Sequence, residues 1–263
     1  MTWPTTSFQL TCDLSGIEHD ITVSLPVRYD KLESAPVVVC LDGAWIFGTA
    51  MDATRVMSMG GEAPEAIVVG VSFAEQNMGE YLRQRARWYT PTAWVPPAET
   101  GVKGLEADQC GKADLLIAFI TDQLLPRLEA DYRIGERWFV GHSFSALFGM
   151  RALLAKPELF DKWLLASPSV WWHDRVILGF EETYATENDD MHAEVFLSTG
   201  ELEDGDSEND YFRMRSNVEV LGASLASRGY PSLVLHRVVL ADENHNSAIG
   251  AAISRGLRTL VLS

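Results

Sequence analysis

The chain has 263 residues, of which 47% are hydrophobic and 22% are charged, so it is long and apolar enough to form a sizeable core. Its formal net charge of −16 disfavours binding to nucleic acid and to highly anionic substrates. Three cysteines without a C-x-x-C spacing, together with no signal peptide and no apolar run of membrane-spanning length, predict a soluble cytoplasmic protein.

Strand-like and helical patterns alternate along the chain. Two strand-like runs come first, SFQLTC and HDITVSLP, and the second alternates apolar and polar residues as an antiparallel edge strand does. Continuous apolar runs, typical of strands covered on both faces, follow at 36–43, 66–73, 137–143, 162–169, 194–200 and 232–240. Helical spacing occurs at 113–132, after Ser143, at 210–229 and at the end of the chain. The alternation predicts an α/β fold in a single domain over 1–263: a mostly parallel central sheet with antiparallel N-terminal edge strands and helices on both faces.

Two segments interrupt this alternation. Residues 74–106 contain Trp88, Trp94 and three prolines, and a connection of this length in a compact domain is typical of a functional loop. We therefore predict a lid-like loop at about 74–106. Residues 170–193 contain the aromatic sequence VWWHD, followed by an acidic stretch.

The sequence Gly141-His142-Ser143-Phe144-Ser145 follows an apolar strand and precedes a helix. It is similar to the nucleophile elbow G-x-S-x-G, in which small neighbours let a serine occupy a strained strand-to-helix turn. Serine replaces the last glycine and is still small. The elbow predicts Ser143 as a catalytic nucleophile, and the alternative is an ordinary N-cap serine.

An elbow enzyme also needs an acid after a later strand and a histidine near the C-terminal end. His245 follows the last predicted strand and is the candidate base, although it could also be an ordinary residue at the start of a helix. The candidate acid is Glu203, which follows the strand at 194–200. The other carboxylates of these two loops, which leave the choice of acid open, are Glu201, Asp204, Asp206 and Asp242.

A tetrahedral intermediate needs amide donors for its oxyanion. The candidate donors are the backbone N–H groups of Phe144, directly after the serine, and of Ala44, in the loop after the strand VVVCLDG. The alternative interpretation of Asp42-Gly43 is a simple turn.

Four segments of the chain resemble the putative-esterase branch of the α/β-hydrolases: VVVCLDGAWIFG, RARWYTPT, FVGHSFSALFGMRALLAKPELFDKWLLASPSVWW and STGELED. This branch contains S-formylglutathione hydrolases, feruloyl esterases, mycolyltransferases and siderophore esterases, and the siderophore-esterase-like pattern is the most similar. The resemblance implies an α/β-hydrolase fold, with Ser143 as nucleophile, His245 as base, Ala44 at the oxyanion hole and Glu203 as acid. Some siderophore esterases are thought to use a Ser–His dyad, in which case Glu203 would contribute little.

The chain departs from this family at the motif R-x-x-D-x-T-P, where Trp88 replaces the acid, and at Ser145, where the family has glycine. The candidate substrate-binding residues are Trp45, Arg87, Trp88, Trp171 and Trp172. Aromatic walls favour an aromatic or extended apolar acyl group, and Arg83, Arg85 and Arg87 could add a local positive field.

We therefore expect a serine esterase that cleaves a small-molecule carboxylic ester, of siderophore or aromatic type, through an acyl-enzyme. The alternatives are an acyltransferase that uses the same site and a catalytically silent hydrolase fold that serves for binding. The histidines lack ligand spacing, so we expect no metal and no cofactor. The oligomeric state is left open.

Overall fold

An eight-stranded sheet forms the centre of the protein in a computed structural model that describes residues 4–75, 77–97, 104–205 and 210–262. The strands are β1 Thr5–Thr11, β2 Glu18–Ser24, β3 Ala35–Leu41, β4 Ile67–Phe73, β5 Ile134–His142, β6 Lys162–Ala166, β7 Ala193–Gly200 and β8 Leu233–Leu240. Their order across the sheet is β1-β2-β4-β3-β5-β6-β7-β8. The pairs β1–β2 and β2–β4 are antiparallel and the others are parallel, which confirms the predicted architecture.

Helices cover both faces of this sheet. They are α1 Gly43–Met59, α2 Met78–Trp88, α3 Ala113–Phe119, α4 Leu125–Asp131, α5 Phe144–Ala155, α6 Trp172–Glu187, α7 Met214–Arg228 and α8 Ala248–Leu262. Helices α1 and α8 pack together over one apolar cluster, and the remaining helices contribute to a larger cluster on the other face. Because β3 and β4 are covered on both sides, their side chains are almost all buried, which explains their continuous apolar sequences.

The segments that interrupted the sequence pattern also form helices. Within 74–106, helix α2 begins after Asn77, whose side chain accepts a hydrogen bond from the backbone N–H of Glu80. This segment is therefore only partly a loop, and residues 76 and 98–103 lie outside the described residues. Helix α6 occupies most of 170–193 and is interrupted near its start, where residues 173–175 have positive φ angles.

The predicted helix at 113–132 is divided into α3 and α4 by a π-helical turn, Ile120–Leu124. Among the described residues, no helix combines the length and the apolarity needed to cross a membrane.

Candidate active site

Ser143 lies on a strained turn between β5 and α5, with φ 60° and ψ −118°. Its backbone N–H donates to the carbonyl of Ala166 at 3.0 Å, and its carbonyl accepts from the N–H groups of Leu147 and Ser169. Gly141 is needed beside this turn, because a Cβ atom there would lie 2.6 Å from the carbonyl oxygen of Ser145. A non-glycine residue at positive φ is costly, and these contacts hold it in place.

Ser145 occupies the position of the second glycine of the elbow and stabilises the turn. Its buried hydroxyl accepts a hydrogen bond from the N–H of His142 at 2.9 Å and donates one to the carbonyl of His142 at 2.8 Å. Both backbone polar groups of the residue before the nucleophile therefore have a partner. This departure from the family motif leaves the elbow intact.

Three side chains that follow three different strands converge at this turn. The Nε2 atom of His245 lies 3.1 Å from Ser143 Oγ, and its Nδ1 atom lies 2.9 Å from Glu203 Oε2. Ser143 follows β5, Glu203 follows β7 and His245 follows β8, so the carboxyl edge of the parallel sheet brings them together. A serine, an imidazole and a carboxylate at these distances form a proton-transfer chain.

The Glu203 carboxylate is buried and firmly held. Its Oε1 atom accepts from the N–H of Gly200 at 2.6 Å and from the hydroxyl of Ser167, which leaves Oε2 for His245. Gly200 itself cannot carry a side chain, because a Cβ atom would lie 2.4 Å from the carbonyl oxygen of Glu243.

The other candidate acids have different roles where they are described. Glu201 accepts a hydrogen bond from the backbone N–H of Asp242, and Asp204 accepts from Ser216 at the start of α7. Asp206 lies outside the described residues. The carboxylate in contact with the imidazole of His245 is that of Glu203.

A second histidine ring packs against the first. The ring centroids of His142 and His245 are 4.5 Å apart. Burial lowers the pKa of His142 well below its ordinary value, and the nearby His245 and Arg85 lower it further. His142 is therefore neutral, so it adds no positive charge beside His245.

The two candidate oxyanion donors lie at the N-termini of helices that begin at neighbouring strands. Ala44 is in the first turn of α1, after β3, and Phe144 begins α5, after β5. Amides in the first turn of a helix lack partners within the helix and carry partial positive charge. Gly43 lets α1 approach the sheet closely, because a Cβ atom there would lie 2.8 Å from the backbone of Gly70.

The turn before α1 is more than a simple turn. Asp42 has a left-handed backbone, φ 54° and ψ 40°, and its carboxylate accepts two hydrogen bonds from Arg85, from Nε at 2.7 Å and from Nη2 at 2.9 Å. Both side chains are buried. Burial favours the uncharged form of Arg85, but the charge and hydrogen bonds of Asp42 outweigh burial and raise the pKa of Arg85 above its ordinary value.

A cavity of about 660 Å³ opens onto the hydroxyl of Ser143. Its wall is aromatic and apolar, with Phe144, Trp171, Phe212, Met214 and Leu82, and it also carries Arg83, Arg85, Ser169, Glu203 and His245. A cavity of this size and lining is suited to a small organic molecule.

The structure brings some of the predicted substrate-binding residues to this cavity and not others. Trp171 lines it, and Trp45 lies beside it with its ring 4.8 Å from the guanidinium carbon of Arg85. Trp172 is fully buried and packs edge-on against Phe144, beneath the wall.

Arg87 and Trp88 are also outside the cavity lining, contrary to expectation. Arg87 binds Glu80 and Gln109, and Trp88 is buried with its indole N–H donating to Gln84. Trp88 lies on the face of α2 opposite residues 79, 82 and 83, which line the cavity. Arg87 follows Arg83 by one turn on the same face, and its guanidinium is held by Glu80 and Gln109 instead.

Sequence reasoning missed several cavity residues. Phe212 and Met214 follow the acidic loop after β7, which carried no apolar signal of its own. Ser169 lies with its hydroxyl 3.2 Å from that of Ser143. A signal existed for Ser169, since the sequence SPS directly follows β6, the strand next to β5.

Metal-ligating side chains are not grouped in the part of the chain that the structure describes: no three of His, Cys, Asp and Glu are arranged to hold an ion.

Comparisons with known proteins agree with this geometry. The Putative esterase family matches residues 15–210. The chain is 29% identical to the ferri-bacillibactin esterase BesA of Bacillus subtilis, covering 91% of this chain and 83% of that protein. It is 28% identical to a siderophore enterobactin esterase of Emericella nidulans, covering 92% of this chain and 89% of that protein.

Solved structures show the same relationship. The siderophore hydrolase EstA from Aspergillus nidulans superposes with a TM-score of 0.84 at 28% identity, covering 98% of this chain and 94% of that one. The BES protein from Bacillus cereus superposes with a TM-score of 0.82 at 26% identity, covering 98% and 95%. The chain therefore belongs to the Putative esterase family and is an ester hydrolase with an α/β-hydrolase fold, as its motifs predicted.

Proposed function

We propose that the protein hydrolyses a carboxylic ester through an acyl-enzyme formed on Ser143, with His245 as the base and Glu203 as the orienting acid. The observation that carries the proposal is the continuous chain of contacts from Ser143 Oγ through both nitrogens of His245 to the buried carboxylate of Glu203. An N-cap serine or an ordinary helix-start histidine would not need these contacts.

In the first step, His245 Nε2 takes the hydroxyl proton as Ser143 Oγ attacks the ester carbonyl carbon. The Glu203 carboxylate accepts a hydrogen bond from Nδ1–H and, without taking that proton, stabilises the imidazolium that forms. The tetrahedral intermediate then expels the alcohol, to which Nε2 returns the proton. A water molecule repeats the sequence on the acyl-enzyme and releases the carboxylic acid.

The negative charge of each tetrahedral intermediate needs donors that are already in place. In this proposal the N–H groups of Ala44 and Phe144 supply them, because both belong to the first turns of helices at the carboxyl ends of β3 and β5.

The proposed substrate is a siderophore-type or aromatic ester. The names of the relatives support the first, since they specify esterases of bacillibactin, enterobactin and triacetylfusarinine C. The aromatic cavity wall supports an extended organic group beside the scissile bond.

We also propose that the chain is one domain and acts in the cytoplasm. The eight-stranded sheet, which joins elements from both ends of the chain, supports the first proposal. The three cysteines are buried free thiols, which is typical of a reducing compartment and supports the second.

Replacing the nucleophile tests the mechanism. Ser143→Ala is expected to abolish hydrolysis of p-nitrophenyl butyrate, whereas Ser169→Ala, which removes a hydroxyl 3.2 Å away, is expected to keep measurable turnover. Turnover near the wild-type rate in Ser143→Ala would contradict the proposal. Product analysis with and without a competing alcohol then separates hydrolysis from acyl transfer.

A further inference from the structure

Arg85 is a buried cation on the wall of the catalytic cavity. Its side chain is only 9% exposed, and it forms part of the wall of the cavity onto which Ser143 opens. The Asp42 carboxylate binds its Nε and Nη2 atoms. A two-point contact of this kind fixes the plane of the guanidinium as well as its position.

This contact leaves part of the guanidinium unused. The hydrogen bonds found among the described residues involve Nε and Nη2, so the N–H groups of Nη1 remain available as donors. The guanidinium carbon lies 4.8 Å from the ring centre of Trp45 and 5.6 Å from that of Phe144. The two rings and the carboxylate therefore hold the donor in one orientation before any substrate binds.

Arg85 and His245 lie on opposite sides of Ser143. Asp42, which anchors Arg85, follows β3 on one side of β5, whereas His245 follows β8 on the other side. Because His245 Nε2 must protonate the departing alcohol, the alcohol half of the ester belongs on the side of His245. The acyl half then occupies the rest of the cavity, whose wall includes Arg85.

The charge of Arg85 is balanced by Asp42. The pair as a whole is neutral, so it offers directed N–H donors without a net positive charge. A neutral acceptor oxygen, as in a ketone, an amide or an ether, suits such a donor, and an anionic group is not required.

We propose that Arg85 is a specificity-determining residue that donates a hydrogen bond from Nη1 to a neutral acceptor oxygen in the acyl group of the substrate. The inference rests on the proposed function, because it uses the positions of Ser143 and His245 to distinguish the two halves of the ester. It assigns to this site a preference for acyl groups that carry such an oxygen over apolar groups of the same shape.

Two esters of matched shape test the proposal: p-nitrophenyl 4-oxopentanoate, which carries a ketone oxygen, and p-nitrophenyl 4-methylpentanoate, which has a methyl group in its place. For each protein, the ratio is kcat/KM for the ketone ester over kcat/KM for the methyl ester. The ratio of each variant is divided by that of the wild type, so that differences in the intrinsic reactivity of the two esters cancel. Arg85→Met is expected to lower this ratio about tenfold or more, the usual size of a lost charge-assisted hydrogen bond.

Arg228→Met is the matched control. Arg228 also binds a buried carboxylate through Nε and Nη2, that of Glu181, but it lies between α6 and α7, outside the cavity lining. Its loss is expected to lower the melting temperature and to leave the ratio at the wild-type value. If Arg85→Met does not fold, the ratio is measured in Arg85→Lys instead. This variant keeps the positive charge opposite Asp42 but loses the planar guanidinium, and its ratio is also expected to be lower than that of the wild type.

A ratio that stays within twofold of the wild type in a folded Arg85 variant would overturn the proposal, since a purely structural role lowers both rates equally. This failure is distinguishable from failure of the proposed function. If only the role of Arg85 is wrong, Ser143→Ala is still inactive; if the proposed function is wrong, Ser143→Ala remains active.

Discussion

Glu203→Gln is a stringent test of the proposed acid because the structure determines how the new amide must orient. Oε1 accepts two hydrogen bonds, from Gly200 N–H and from the hydroxyl of Ser167, so the amide oxygen of glutamine is expected to take this position. The NH₂ group then faces Nδ1 of His245. Because two donors cannot pair, the imidazole shifts its proton to Nε2 and can no longer accept the proton of Ser143.

The expected size of the effect follows from the burial of the Glu203 carboxylate and the partial exposure of the His245 imidazole. The carboxylate has no solvent-exposed area and contacts Nδ1 directly, so it supplies the counter-charge for the imidazolium that forms during the reaction. Because the His245 side chain is 36% exposed, solvent screens part of the charge, and kcat is expected to fall more than tenfold, a loss of more than about 1.4 kcal/mol in transition-state stabilisation. KM is expected to change little, because the effect arises in the transition state.

The assay is steady-state hydrolysis of p-nitrophenyl butyrate by wild type and Glu203→Gln, with circular dichroism to verify folding. Glu201→Gln is the matched control, because Glu201 follows the same strand but accepts its hydrogen bond from the backbone of Asp242. A kcat for folded Glu203→Gln within threefold of the wild type would refute the reasoning and indicate a Ser–His dyad.

Three further predictions concern stability, two of them at the turn around Ser143 and one at His19 of β2. Gly141→Ala is expected to prevent folding to the native state, seen as loss of the cooperative thermal transition, because its Cβ would lie 2.6 Å from a backbone oxygen. Ser145→Gly restores the family motif but loses two buried hydrogen bonds, so urea titration should show a loss of about 2 kcal/mol; an unchanged midpoint would argue against its role in the turn. Burial lowers the pKa of His19 from 6.5 to about 4, so the unfolded chain binds a proton first and the free energy of unfolding falls as the pH falls between these values. Over this range the wild type should lose up to about 3 kcal/mol more than His19→Gln, and parallel pH profiles would contradict this.

Much of the architecture could be predicted because it depends on local sequence periodicity. The apolar runs of β3 and β4 are covered on both faces, whereas β2 alternates, and this difference distinguishes the parallel part of the sheet from its antiparallel edge. The convergence of Ser143 and His245 was predictable for a related reason: both follow strands of a parallel sheet, whose carboxyl ends share one edge.

The features that could not be predicted depend on rotation and on side-chain contacts. The choice of Glu203 over Glu201 depends on a turn in which the N–H of Gly200 and the hydroxyl of Ser167 hold one oxygen of the Glu203 carboxylate. Sequence patterns do not reveal these contacts, because Ser167 is far from Glu203 in sequence and the Gly200 donor is a backbone group. Arg87 and Trp88 were expected at the substrate because 74–106 was interpreted as a loop. In helix α2, Trp88 lies on the face opposite the cavity, and Arg87 lies one turn beyond Arg83 with its guanidinium held by Glu80 and Gln109.

The central claim is that the hydroxyl of Ser143 is the nucleophile, and the most direct measurement is the site of covalent labelling by a fluorophosphonate. The protein is labelled, digested with trypsin and analysed by tandem mass spectrometry, in which fragment ions from cleavage between residues 143 and 145 distinguish an adduct on Ser143 from one on Ser145. We predict one adduct per chain on Ser143 in the wild type and no adduct in folded Ser143→Ala. An adduct on Ser169, whose hydroxyl lies 3.2 Å from that of Ser143, or no adduct on the folded wild type, would contradict the account.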